Sequence, residues 1–116
     1  MLVGLSDADN DRLSLKVASQ DAWWFHVRGL PGSHVILRAV EGVEPDRATL
    51  ERVAAIAAYH SKARDGGVVP VSCTRARYVT KPRGAKAGTV QIRKETVLKV
   101  RPVRPELAPP PRLSAG

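Results

Sequence analysis

Apolar and polar positions alternate along this chain in two rhythms, and each rhythm predicts its own kind of element. Leu13, Leu15 and Val17 alternate with Arg12, Ser14 and Lys16, the period-two pattern of a half-buried strand. Residues 22–28 and 34–39 are rich in aromatic and β-branched side chains, which predicts two more strands. Between them Leu30-Pro31-Gly32-Ser33 places proline and glycine at the two central positions of a type II turn. Met1 to Val3 reads as the end of an edge strand, closed by Gly4 and the turn-rich run Ser6 to Asp11. The helical rhythm follows: Leu50, Val53, Ala54, Ala57 and Ser61 share one face of a helix predicted from Asp46 or Thr49 to about Ala63. Either starting residue can cap it, Lys62 and Arg64 suit its negative end, and Gly66 and Gly67 stop it. So many alanines imply close approach to a sheet. Val69, Val71 and Cys73 open a third strong strand running towards Tyr78 and Val79. Val90 and Ile92, then Leu98 and Val100, alternate with polar neighbours and predict a last hairpin with one apolar and one cationic face. The pattern predicts an α+β fold, a curved and mainly antiparallel sheet packed against one main helix. A single folded domain is expected over 1–103 and a proline-rich, disordered tail over 104–116.

The register of the central hairpin decides which side chains share a face. A strict two-residue loop would pair Arg28 with Val35 and His26 with Leu37, mixing charged and apolar residues on both faces. A slip of one residue turns every side chain over, so the hydrophobic pattern favours a bulge or a wider loop near Gly29. Trp23, Phe25, Val27, Val35 and Leu37 then point to the core, while Trp24, His26, Arg28, His34 and Arg38 share the other face. On that surface Trp24 is expected to stand as an aromatic plate among hydrogen-bond donors.

Charge narrows the class of partner. The formal net charge is +8, and it is unevenly placed: residues 1–61 carry six Lys/Arg against eight Asp/Glu, and residues 62–104 carry twelve against two. Such asymmetry points to a polyanion, with nucleic acid ahead of an anionic membrane. The loop Lys81 to Gly88 adds three cations to two glycines, which let a backbone approach a ligand closely. Candidate nucleic-acid contacts are therefore Trp24, His26, Arg28, His34 and Arg38 on the central hairpin, and Arg75 and Arg77 after the third strand. Lys81, Arg83 and Lys86 in the loop, and Arg93, Lys99 and Arg101 on the last hairpin, complete the set. The one cysteine, Cys73, alternates with valines, reads as a small core residue, and excludes an internal disulfide or a Cys-based zinc site. No phosphate-binding glycine loop, apolar membrane span or export signal occurs, so no cofactor or metal is expected and the setting is expected to be the cytoplasm.

Four phrases are more specific than composition: W-F-H at Trp24 to His26, P-G-S-H-V-I-L at Pro31 to Leu37, A-A-Y-H-S-K-A-R at Ala57 to Arg64, and V-T-K-P-R-G-A-K-A-G-T-V at Val79 to Val90. In that order they resemble the NFACT-R domain, the RNA-binding module of the NFACT proteins of ribosome-associated quality control. The resemblance implies an RNA-binding domain, which in large members belongs to a machine engaging tRNA and the large ribosomal subunit and here stands alone. It implies no catalytic residue, and it carries a suspected RNA-contact role to Trp24, His26, His34, Lys81, Arg83 and Lys86. Departures are Leu5 where the family often has arginine and Ala22 where aspartate is common, and the start is short.

Three functions compete. The leading one is a non-enzymatic module recognising structured RNA, tRNA or ribosomal RNA, by shape: cations meet phosphates, and an exposed aromatic stacks on an unpaired base for roughly 1 to 3 kcal/mol. The rival is metal-free RNA cleavage with His26 and His34 as acid and base beside Arg28 and Arg38. The third is a ribosome-docking, protein-interaction module.

Overall fold

The computed structural model describes residues 1–104 except Leu5, Pro31 and Glu41, and leaves aside the side chains of Lys16 and Val17. Residues 105–116, most of the predicted tail, lie outside the described residues. The elements run β1 (Leu2–Val3), α1 (Asp7–Arg12), a π-helical turn (Leu13–Val17), β2 (Trp23–Val27), β3 (Val35–Leu37) and α2 (Arg47–Tyr59). They continue with β4 (Val69–Arg75), a 3-10 turn (Ala76–Tyr78), β5 (Val79–Thr80), β6 (Gln91–Ile92) and β7 (Thr96–Val100). Five strands form one sheet in the order β1-β3-β2-β4-β7, every neighbouring pair antiparallel, and β5 pairs with β6 in a separate ribbon. The architecture is α+β, as the sequence pattern predicts.

The register separates the faces as expected. Trp24 lies opposite Ile36, and Phe25 opposite Val35 and Cys73, so the loop between β2 and β3 is wider than two residues. The positive φ that the chain needs there falls on Gly29 (φ 77), not on Gly32; of the four residues expected to form a type II turn, Pro31 lies outside the described residues. Phe25, Val27, Val35, Leu37, Val71, Cys73 and Leu98 form one core with Val53, Ala54, Ala57 and Ala58 of α2. Small side chains on α2 bring its axis close to the sheet. Its start is fixed by Asp46, whose carboxylate accepts from the Thr49 N–H at 2.7 Å. The helix ends at Tyr59, earlier than predicted, with His60 as its C-cap.

The opposite face of the sheet is covered too, and here three expectations are corrected. Ser6 to Asp11 is helical rather than turn: the Ser6 hydroxyl accepts from Asp9 N–H (3.1 Å), and Asp7 and Asp9 meet the positive end of α1. Leu13 to Val17 is a π-helical turn rather than a strand, because the helix continues into it and its wider coil lays Leu13 and Leu15 over the sheet. The last hairpin does not form, since β6 pairs with β5 while β7 pairs with β4 at the sheet edge. These elements bury a second cluster of Ala22, Trp24, Ile36, Ala76 and Val79, packed with Leu13, Leu15, Val90 and Ile92.

Candidate nucleic-acid interface

Alternation along β2 sends Trp24, His26 and Arg28 to this second face in succession, from covered to open. Trp24 is only 2% exposed, so it is not the solvent-facing stacking plate the pattern suggests. Its indole N–H donates to Ser14 Oγ (2.8 Å), which lies 2.8 Å from His34 Nδ1. Because an indole nitrogen can only donate, the serine's own proton is free for Nδ1, and neutral His34 then carries its hydrogen on Nε2. Asn10 fixes the same segment from α1, its side-chain oxygen accepting from the His34 backbone N–H at 2.9 Å. Trp24, His26 and His34 touch ring to ring, with centroids 5.1 to 5.9 Å apart.

These surroundings disfavour charge on both histidines. Burial, reinforced by the neighbouring His26, pushes His34 down to about 4, and burial also lowers His26. Both rings are therefore less readily charged than a free imidazole.

Beside the rings opens a cleft of about 370 Å³. His26 and His34 line it with Arg28, Ser72 and Glu95 on the sheet side, and Gly88, Thr89, Val90 and Ile92 form the other wall. Glu95 accepts a hydrogen bond from the Ser72 hydroxyl and pairs with Arg28 at 3.4 Å. One step along the sheet, the Arg28 N–H donates to Pro70 O (3.0 Å) and Pro70 lies opposite Lys99. Arg28, Pro70 and Lys99 thus form an exposed row where the second layer ends.

The loop wall is held by a carboxylate the sequence did not flag. Asp11 takes Lys81 Nζ at 2.9 Å on one oxygen and the Gly88 N–H at 2.9 Å on the other. Burial pushes its carboxyl up, but the bonds from Lys81 and Gly88 outweigh this and leave it below the usual aspartate value. Gly88 has φ +84, a left-handed conformation that favours glycine, and a Cβ there would also push aside the Asp7 carboxylate, whose oxygen would stand 2.9 Å away. Lys81, which also donates to Lys86 O (2.6 Å), closes the loop instead of presenting a free cation, whereas Arg83 and Lys86 are exposed.

The other candidates disperse. Arg75 stacks on Trp23 (3.8 Å to the ring centroid) and pairs with Glu44 at 3.0 Å; Arg77 pairs with Asp21. Arg93 lies over Tyr78 at 5.8 Å. Arg38 is exposed just beyond β3, at the end of the sheet away from the cleft, and Arg101 is exposed just past β7. Ser14, Ser72, Asp11 and Glu95 were missed by sequence reasoning. The one available signal was Glu95, one of only two acids among twelve cations between residues 62 and 104.

Residues 1–94 match the family described as the NFACT protein RNA binding domain. The chain is similar to the Rqc2 homolog RqcH of Bacillus subtilis (strain 168), 47% identical over 90 residues that cover 78% of this chain and 15% of that protein. It is 36% identical over 107 residues to the Rqc2 homolog RqcH of Streptococcus suis (strain 05ZYH33), covering 92% of this chain and 19% of that one. The chain thus spans less than a fifth of the length of these curated relatives. Among solved structures it resembles the C-terminal part of the fibronectin/fibrinogen-binding protein from Streptococcus suis, with a TM-score of 0.81 and 37% identity over 88% of this chain and 40% of that one. Sequence motifs, fold and relatives agree: this chain belongs to the NFACT RNA-binding domain family.

Proposed function

We propose that the chain binds structured RNA, tRNA or ribosomal RNA, without altering it chemically, and works in the cytoplasm in ribosome-associated quality control at the large subunit. The observation that carries this reading is the exposed row of Arg28 and Lys99 beside a cleft whose facing wall continues into the loop of Arg83 and Lys86. Cations on both sides of a groove suit two phosphate backbones or one sharply folded strand, and phosphate contacts give affinity without sequence choice. Family membership and the RqcH relatives support the same assignment. A binding role also agrees with the state of the histidines. Acid–base cleavage works best with a pair titrating near the operating pH, and His34 sits at about 4 inside a hydrogen-bonded ring cluster.

The test is the salt dependence of binding to a labelled tRNA, for the wild type and for Arg28→Ala with Lys99→Ala. Loss of two phosphate contacts should flatten the slope of log K against log salt by roughly 1.4 to 1.8. It should weaken different RNAs alike, and a denaturing gel run in chelator should show intact RNA. An unchanged slope would move the interface elsewhere, and histidine-dependent fragments would replace binding by catalysis.

A further inference from the structure

With Trp24 buried, the structure offers another aromatic for base stacking. Phe25 is in the core, and Trp23 and Tyr59 carry arginines at 3.8 and 4.5 Å, closer than the cations near Tyr78 at 5.2 and 5.8 Å. Tyr78 is half-buried and borders a hollow of about 650 Å³, lined also by Val40, Val43, Arg77, Asp21 and Glu44. Val40 is 48% exposed, one of few large apolar side chains left open, so the hollow joins an apolar lip to an aromatic ring. Its far rim is set by two ion pairs, Asp21 with Arg77 and Glu44 with Arg75.

The same ring holds two cations. Lys94 Nζ lies 5.2 Å and the Arg93 guanidinium 5.8 Å from its centroid, and neither has an acidic partner among the described residues. Their positions are built, not incidental. The Arg93 N–H donates to Tyr78 O (3.1 Å), and the Thr74 hydroxyl donates to Arg93 O (2.8 Å). Lys94 has φ 54, a left-handed conformation that a non-glycine residue holds only when its surroundings dictate it. Two exposed cations within 6 Å of one ring can take the charge of an anion held beside it. The adjoining ring and valines supply flat apolar contact, and the rim carboxylates supply acceptors for the amino hydrogens of a base.

We infer that the Tyr78 hollow takes one unpaired nucleotide of the bound RNA, its base against Tyr78 and its phosphate at Arg93 and Lys94. This deepens the RNA-binding reading and rests on it. The turn connects the two sites, because Ile92 and Glu95 on either side of Arg93 and Lys94 line the cleft. An RNA held by its duplex at Arg28 and Lys99 delivers a single-stranded extension past the turn to Tyr78. The division of labour is one of shape at the cleft and of unpaired bases at the hollow.

The test compares the full chain on two probes, a blunt RNA hairpin and the same hairpin with a short single-stranded tail carrying 2-aminopurine. Wild type should prefer the tailed probe and change the 2-aminopurine fluorescence. Tyr78→Ala should weaken the tailed probe by roughly 5- to 160-fold, abolish the fluorescence change and leave the blunt hairpin unaffected. Tyr78→Phe keeps the ring and should behave as wild type. Arg93→Gln with Lys94→Gln alters only exposed side chains, so the fold is retained, and should also remove the preference. Equal wild-type binding of both probes without a fluorescence change would overturn the hollow while leaving RNA binding standing. Equal loss on both probes for Tyr78→Ala, with the Gln pair behaving as wild type, would overturn it as well. Failure of wild type to bind either probe would remove the underlying reading itself.

Discussion

Acid should destabilise this protein through His34 before its carboxylates respond. Folding lowers the pKa of His34 from 6.5 to about 4, so between those values the unfolded chain binds a proton that the native protein refuses. Stability therefore falls as pH drops through this window and levels off, for this group, below about 4 and above about 7. At 1.36 kcal/mol for each pKa unit the loss is roughly 3 kcal/mol, a large fraction of a small domain's stability. Burial lowers His26 in the same direction and adds to the slope. Asp11 and Asp46 are depressed from 3.8, so what they contribute is lost only as pH falls below that value, outside the histidine window. His34→Asn isolates the effect: asparagine can still accept from Ser14 but does not titrate. The variant will be less stable throughout, having lost ring contacts to Trp24 and His26, yet its stability should change far less between about pH 7 and pH 4. Urea unfolding followed by tryptophan fluorescence at constant ionic strength measures both curves. Parallel pH dependences for wild type and His34→Asn would refute the reasoning.

Three further outcomes follow from the same contacts. Trp24→Phe should cost about 1 kcal/mol in thermal or urea unfolding by leaving Ser14 without its donor, and Trp24→Ala about 3 to 5, while Trp24→Phe leaves RNA affinity unchanged because the ring is only 2% exposed, at the floor of the cleft. Lys81→Ala should lower stability by about 1 kcal/mol by freeing the partly buried Asp11, whereas Arg83→Ala with Lys86→Ala should stay within about 0.5 kcal/mol in melting experiments. Cys73, buried and with its thiol pushed up to about 12, should react with an aromatic disulfide reagent only in denaturant, and rapid modification of the native protein would contradict its place in the core.

What the sequence made legible was parity and local chemistry. The alternation of Trp23, Phe25 and Val27 with Trp24, His26 and Arg28 identified the two faces of β2, and Asp46 and Thr49 offered the two candidate caps of α2, of which Asp46 is the one used, because both signals are local. Alternation says which side chains share a face but not what lies over it. Trp24 was read as exposed because nothing in its own strand reveals α1, the π-helical turn and β6 above it. Leu13, Leu15 and Val17 fit a strand rhythm in isolation, yet the helix begun at Ser6 carries on through them. Ser72 and Glu95 meet only because β4 and β7 are neighbours in the sheet, a pairing that skips the nearer partner in sequence. The cations were legible as a total, but Arg75, Arg77 and Lys81 are engaged by Glu44, Asp21 and Asp11, acids far from them along the chain.

The Asp11 clamp joins residues 77 positions apart, Asp11 and Gly88, and this bears on how the chain is made. Synthesis delivers α1, the π-helical turn, β2, β3, α2 and β4 before Val90 and Ile92, the last residues that cover the outer side of Trp24 and Ile36, exist. Closing so long an interval is entropically slow, so the central strands and α2 can associate first while that outer strip stays wet. Until Val90 and Ile92 arrive, the nascent domain shows water an apolar band around Trp24 that the finished protein hides, and this is where a holding chaperone or a wrong partner would seize it.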